Sequence, residues 1–399
     1  MDKILDSVNK VYREEHPSFY VNINQKNLNK IIKARKNLLF NLKIQTKLFK
    51  DSKLLDFGSG SGIYGLVYNL LGAKTDLVEY EKNFVDQSKK LFSKFARKSS
   101  YKIYSSNIFN FKQKKKYDIV IFNGVAHHTR NPNKILDKAC KFLKRDGMII
   151  YGIGNKSGFF QRALQRLILF KLSKNKSEII KFAKILFREH LNRAQKFGGR
   201  TERQIIFDTY INPKIDCQSS KTIVKIFRKN KLELYSSFPN ILSNEFFTDN
   251  TENYRNFNSK KTKGENKKEI FLSEHKWITS LIELGSEKSN KQEKIELLKD
   301  KITNTLNDKN FDNYDLDYTK IISHCINYKK NLHNLFSNKN LKKNLNKYDK
   351  FYDEVIILLK QLSKKNCKIK DIRLLIKKNR YLFKGTAGVG MNYYVGYKL

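Results

Sequence analysis

The sequence has 399 residues, enough for a full α/β core and a second unit, and carries a formal charge of +43. Its four cysteines, Cys140, Cys217, Cys325 and Cys367, lie far apart, which excludes a disulfide framework and paired zinc spacing. No apolar run approaches the ~18 residues that a bilayer span needs, and Met1-Asp2-Lys3-Ile4 opens no signal peptide, so a soluble, cytoplasmic protein is expected. The charge would indicate nucleic acid if it were concentrated in one patch. Here the lysines are spread along the chain beside abundant Asn, Ile, Phe and Tyr, the bias of AT-rich codons. A solvated lysine-rich surface is the preferred reading.

Residues 1–50 read as helical: Leu28, Ile31, Ile32, Arg35, Leu38, Leu39 and Leu42 recur at three- and four-residue steps. The aromatic stretch from Tyr12 to Tyr20, with Pro17, reads as packing or a lid. From residue 53 the pattern becomes strand, turn, helix, strand. Lys53 to Phe57 is a short strand, and Gly58-Ser59-Gly60-Ser61-Gly62 follows it at once. Ile63 to Leu71 is a helix closed by Gly72, and Thr75 to Glu79 a second strand. A helical face over Phe84 to Phe95 follows, then strands at Tyr101 to Tyr104 and Asp118 to Phe122. A helix through Ile135 to Leu143 and a fifth strand, Met148 to Ile153, complete the series. Strands alternating with helices predict a parallel sheet with right-handed crossovers.

Phe159 to Leu172 reads as an amphipathic helix over a cleft, with Arg162, Gln165 and Arg166 on its polar side. Residues 177–197 continue as helix. Ser220 caps the next, and Leu232 to Tyr235 reads as a sixth strand. Residues 244–268 are polar and read as a linker. From Phe271 to about Phe383, including Ile278 to Ile282 and Ile295 to Leu306, the pattern is helical. After a turn at Gly385 to Gly390, the β-rich run Asn392 to Tyr397 is expected to return to the sheet as a seventh strand. The expected domains are an N-terminal helical cap (1–50), a core (51–240) with lid helices at 155–200, a linker and helical insertion (241–384), and a terminal strand (385–399).

The glycine turn places backbone N–H groups and a helix N-terminus beside a ligand. Glu79, ending the second strand, is placed to accept hydrogen bonds from both hydroxyls of a ribose. Asn107 and Ile108 follow the third strand, where an adenine would lie. The fourth strand runs into Asn123-Gly124-Val125-Ala126-His127-His128, with Pro132 beyond.

In these residues the segment 50–155 resembles the class I S-adenosylmethionine-dependent methyltransferases, notably the ubiquinone-type and other small-molecule enzymes. The resemblance implies a Rossmann-like seven-stranded α/β sheet with helices on both faces, the helical insertion falling between strands six and seven. It implies S-adenosyl-L-methionine as cofactor, held by Asp56, Gly58, Ser59, Gly60, Gly62, Glu79, Tyr80, Asn107, Ile108 and Asn123. Asn107 departs from the family's usual aspartate. His127 and His128 are the candidate catalytic bases, because imidazole titrates near neutrality. His190, Asp208, His275 and His324 match no metal spacing, so no metal is expected. The expected activity is methyl transfer to a small-molecule or cell-envelope precursor. The alternatives are an RNA methyltransferase, a nicotinamide-dependent oxidoreductase and a non-catalytic binding module.

Overall fold

The computed structural model describes residues 3–15, 23–97, 100–198, 200–241, 316–335, 339–384 and 390–399. Two helices, α1 (Lys3–Glu15) and α2 (Gln25–Asn41), precede the sheet. Strand β1 (Lys53–Phe57) is buried from Leu54 onward, as a strand covered on both faces must be. It is followed by α3 (Ile63–Leu70), β2 (Lys74–Glu79), α4 (Lys82–Phe95), β3 (Tyr101–Ser105) and β4 (Tyr117–Asn123). Helix α5 (Pro132–Lys141) starts where the sequence dictates, with Asn131 accepting from the Lys134 N–H and Pro132 in the first turn.

Strand β5 runs over Leu143–Gly154, longer than expected. Asp146 adopts φ +60 and the register with β4 shifts, so Gly147 sits within an irregular strand rather than before a regular one. Helices α6 (Phe160–Leu172), α7 (Lys176–Leu186), α8 (Arg188–Gly198) and α9 (Glu202–Ile206) follow, and a π-helical turn, Phe207–Ile211, continues α9. Helix α10 (Ser220–Lys229) is capped by Ser219, not Ser220. The Ser220 hydroxyl instead meets the Tyr394 hydroxyl at 2.7 Å in a buried polar knot with Asn155. Strand β6 (Leu232–Phe238) comes next; then, among the described residues, α11 (Tyr318–Leu335), α12 (Lys339–Leu362), α13 (Ile369–Lys378) and β7 (Met391–Lys398). The expected linker at 244–268, the helical stretches at 278–306 and most of the turn at 385–390 lie outside the described residues.

The seven strands form one sheet in the order β3-β2-β1-β4-β5-β7-β6. β1 to β5 are parallel, and β7 runs antiparallel to both β5 and β6, pairing Ile150 with Val395 and Phe238 with Tyr393. The deferred seventh strand is therefore where the sequence placed it. Leu55, Phe57, Phe122, Ile135, Tyr151 and Phe227 form the core on one face. Leu39, Phe49, Leu54, Tyr68 and Ile121 belong to the other.

A further apolar cluster joins α6 to α9 with α11 to α13: Leu164, Ile168, Tyr210, Tyr328, Tyr352 and Leu359 share it. The late helices thus complete a core begun by residues 159–211. For that reason α6 is not a surface amphipath. Gln165 and Arg166, on its expected polar side, are 1% and 3% exposed.

Candidate active site

The C-terminal ends of β1, β2 and β4 open into a cavity of about 340 Å³. Its floor begins with the glycine turn, whose Gly58 and Ser59 N–H groups donate to the Val78 carbonyl (2.9 and 3.0 Å) and lock the turn against β2. Gly58, Gly60 and Gly62 all adopt positive φ. Two of them differ in a way that matters. A Cβ on Gly62 would lie 2.6 Å from Ser88 Oγ, whereas a Cβ on Gly60 would meet nothing within 4 Å, because that side faces the cavity.

The Glu79 carboxylate binds this turn directly. Its Oε2 accepts from Gly60 N–H at 2.7 Å, and its Oε1 from Tyr80 and Glu81 N–H at 2.8 and 2.9 Å. Burial raises its pKa, while these three donors oppose the rise. Tyr80 stands 51% exposed at the mouth. Asn107 and Ile108 line the wall, and Asn107 Oδ1 accepts from Phe109 N–H at 2.9 Å, which fixes its amide plane.

Gly58, Ser59, Gly60, Glu79, Tyr80, Asn107, Ile108, Asn123, His127 and His128 all line the cavity. Asp56 and Gly62 do not; they lie behind the turn. Asp56 is packed under α3, where a Cβ on Gly65 would come within 2.9 Å of its Oδ2. Burial pushes the Asp56 carboxyl up to about 7 against the pull of the Arg35 cation. Arg35, which the sequence places in the apolar stripe of α2, is 5% exposed and lies 3.7 Å over the Tyr64 ring.

The histidine pair follows β4 in a 3-10 turn, ring centroids 4.0 Å apart. A return segment clamps it: the Asp216 N–H donates to the His127 carbonyl, and His128 Nδ1 donates to the Lys214 carbonyl, both at 2.7 Å. With its proton on Nδ1, neutral His128 carries a lone pair on Nε2, which lies 4.0 Å from Asp208 Oδ1. Burial lowers the pKa of both rings; beside His128 it is partly opposed by Asp208. Both imidazoles are therefore neutral at pH 7.

The remaining wall comes from segments that local patterns do not connect. Tyr12 of α1 stands edge-on to His128 (5.5 Å) and Phe84 (6.4 Å). Arg200, paired with Asp208 at 2.6 Å, and Met391 and Tyr393 of β7 complete the lining. Of the imagined metal ligands, His190 is buried against the Tyr210 hydroxyl at 2.7 Å, and Asp208 is held by Arg200. His324 lies on α11, and His275 is outside the described residues.

Whether the chain suits S-adenosylmethionine can be tested on its unsatisfied polar atoms. Ser59 Oγ, Asn123 Oδ1 and His127 Nδ1 are buried around the cavity without a hydrogen-bond partner. Together with the open face of Gly60 and the carboxylate of Glu79, they fit a ligand with an amino acid end and a ribose.

The family model of a methyltransferase domain matches residues 48–230. The ubiquinone biosynthesis O-methyltransferase of Pelagibacter ubique is 27% identical over 125 residues, 31% of this chain and 51% of that protein. The chain thus spans about half the length of that curated relative. Among solved structures, PKMT2 of Rickettsia typhi is 16% identical over 54% of this chain and 43% of its own, with a TM-score of 0.41. Magnesium protoporphyrin IX methyltransferase of Synechocystis, with bound SAH, is 13% identical over 59% and 92%, with a TM-score of 0.35. Residues 48–230 thus match a methyltransferase domain and are similar to the class I S-adenosylmethionine-dependent methyltransferases.

Proposed function

We propose that the chain moves a methyl group from S-adenosylmethionine to a hydroxyl of a small-molecule acceptor. The observation that carries this reading is the tautomer of His128. Its Nδ1 is committed to the Lys214 carbonyl, so the lone pair on Nε2 belongs to the cavity side, where Asp208 stands 4.0 Å away. A neutral, oriented imidazole in an enclosed site is equipped to take a hydroxyl proton. The name of the Pelagibacter relative, an O-methyltransferase, supports an oxygen acceptor.

The cofactor supplies an electrophilic methyl group on a sulfonium, open to in-line displacement. In this reading Glu79 receives the ribose hydroxyls, the turn at Gly58 to Gly60 cradles the amino acid end, and Asn107 with Ile108 accepts the adenine. Asn123 and His127 satisfy their buried polar atoms on the bound pair. His128 Nε2 takes the acceptor proton, and Asp208 stabilises the imidazolium that results. Tyr12 and Phe84 exclude water from the site. A cell-envelope precursor is one source of such an acceptor.

Labelled S-adenosylmethionine with fractionated cell extract tests the proposal. Label is expected among small molecules, and lost with His128→Gln. Label confined to RNA or protein would overturn it.

A further inference from the structure

Helix α6 carries Arg162 and Arg166 one turn apart, and its polar side is turned into the protein rather than to solvent. On α8, Arg193 lies one turn beyond His190. Arg200 joins them from the cavity wall. Arg162 packs on Gly390, where any Cβ would overlap its guanidinium, and the next residue, Met391, lines the cavity. The group around His190 and Tyr210 therefore lies behind the stretch of cavity wall formed by Arg200, Asp208 and Met391.

Its charge is out of balance. Asp208 is the carboxylate ion-paired there, and it is engaged by Arg200 at 2.6 Å. Among the described residues, Arg162 Nε and both Nε and Nη2 of Arg193 are buried without a hydrogen-bond partner. His190 adds no negative charge: Tyr210 donates to Gln165 at 3.1 Å, and His190 Nδ1 meets the Tyr210 oxygen. Burial, with Arg162, Arg193 and Arg200, holds that imidazole neutral, down at about 3. The Arg162 and Arg193 side chains are half-buried, and guanidinium nitrogens buried without a hydrogen-bonded acceptor are costly, while their planar fork matches carboxylate and phosphate.

We propose that the methyl acceptor is an anion whose carboxylate or phosphate group docks on Arg162 and Arg193, behind the His128 end of the cavity. The inference rests on the methyltransferase reading and specifies its substrate class.

The test uses the full chain saturated with S-adenosylhomocysteine and three calorimetric probes: benzoate, phenyl phosphate and benzyl alcohol. An aromatic ring suits the wall of Tyr12, Phe84 and Tyr393. At least one anion is expected to bind about tenfold or more tighter than the neutral alcohol, and whichever anion binds better identifies carboxylate or phosphate. Arg162→Gln and Arg193→Gln should each weaken that anion about tenfold, with S-adenosylhomocysteine affinity held within about twofold. Should Arg162→Gln lose its cooperative melting, Arg162→Lys, which keeps the charge and removes the fork, takes its place with Arg193→Gln. Equal binding of anion and alcohol, or unchanged anion affinity in the folded variants, overturns the inference alone. A wild-type chain that binds no S-adenosylhomocysteine overturns the underlying reading, and this inference with it.

Discussion

Glu79 holds the glycine turn and its own strand end together while presenting a carboxylate to the cavity. Glu79→Ala removes both effects and should weaken S-adenosylhomocysteine about 10- to 100-fold by calorimetry, the order expected for losing hydrogen bonds to a charged group. Gly60→Leu tests the neighbouring surface differently. Its side chain would enter open space, so the protein should fold, with only the strain of a positive φ, and the intruding leucine should occlude the ligand. His128→Gln should lower the single-turnover rate of methyl transfer about 10²- to 10⁴-fold with little change in cofactor affinity. Because burial depresses its pKa, His128 stays neutral to lower pH than an ordinary imidazole, and the wild-type rate should decline at correspondingly lower pH. At this scale the sequence was most legible where the site is local. Gly58 to Gly60, Asn107 and the histidine pair each follow a strand end and Glu79 closes one, and strand ends repeat in a fixed order. Tyr12, the Arg200–Asp208 pair and Tyr393 come from three distant segments, and no spacing rule links them.

Among the elements, α1 is held over the cavity by few contacts. Val8 and Tyr12 face inward, and Glu15 receives a two-pronged ion pair from Arg203 of α9 at 2.6 and 2.7 Å. Arg203 is well exposed, so the pair contributes at most about 1 kcal/mol. Arg203→Ala should accordingly speed amide exchange in α1 several-fold and leave the sheet unchanged. Helix α8 offers a pH test. Unfolded, His190 takes up a proton below about pH 6.5; folded, it resists down to about 3, chiefly through burial. Its contribution is fully present above the unfolded value and is lost as pH falls between the two. His190→Gln should therefore show a smaller drop in Tm from about pH 7 to about pH 4 than the wild type. Helix α6 shows why periodicity alone misjudges such elements. Its stripe of Phe160, Ala163, Leu164, Leu167 and Ile168 was visible, yet Gln165 and Arg166 are buried as well, Gln165 accepting from the Tyr210 hydroxyl of a later segment.

For the molecule as a whole, the parallel sheet and the late return of its seventh strand were readable, because strands alternating with helices leave few right-handed topologies. The relation of the late helices to the rest was not. They complete the cluster started by α6 to α9, and the connection is polar as well as apolar. Phe383 N–H donates to Gln161 of α6 at 3.0 Å, and Glu354 gathers the N–H groups of Arg380, Tyr381 and Leu382. Excision of residues 242–384 with a short linker should not leave a well-behaved core. It strips Leu164, Ile168 and Tyr210 of their cover, and aggregation on size-exclusion chromatography is the expected result.

The position of β7 has a consequence for synthesis. This strand lies between β5 and β6, so neither of those has its neighbour until residues 391–398 have left the ribosome. Translation of the roughly 150 residues that separate β6 from β7 takes on the order of 10 s or more. For that interval a nascent sheet carries an open apolar edge at Ile149 to Ile153, the kind of surface on which chaperones act and chains cross-pair. Arrest of translation just before Met391 should therefore yield ribosome-bound chains that remain protease-sensitive, with protection of the β5 region arriving only once the final strand has emerged.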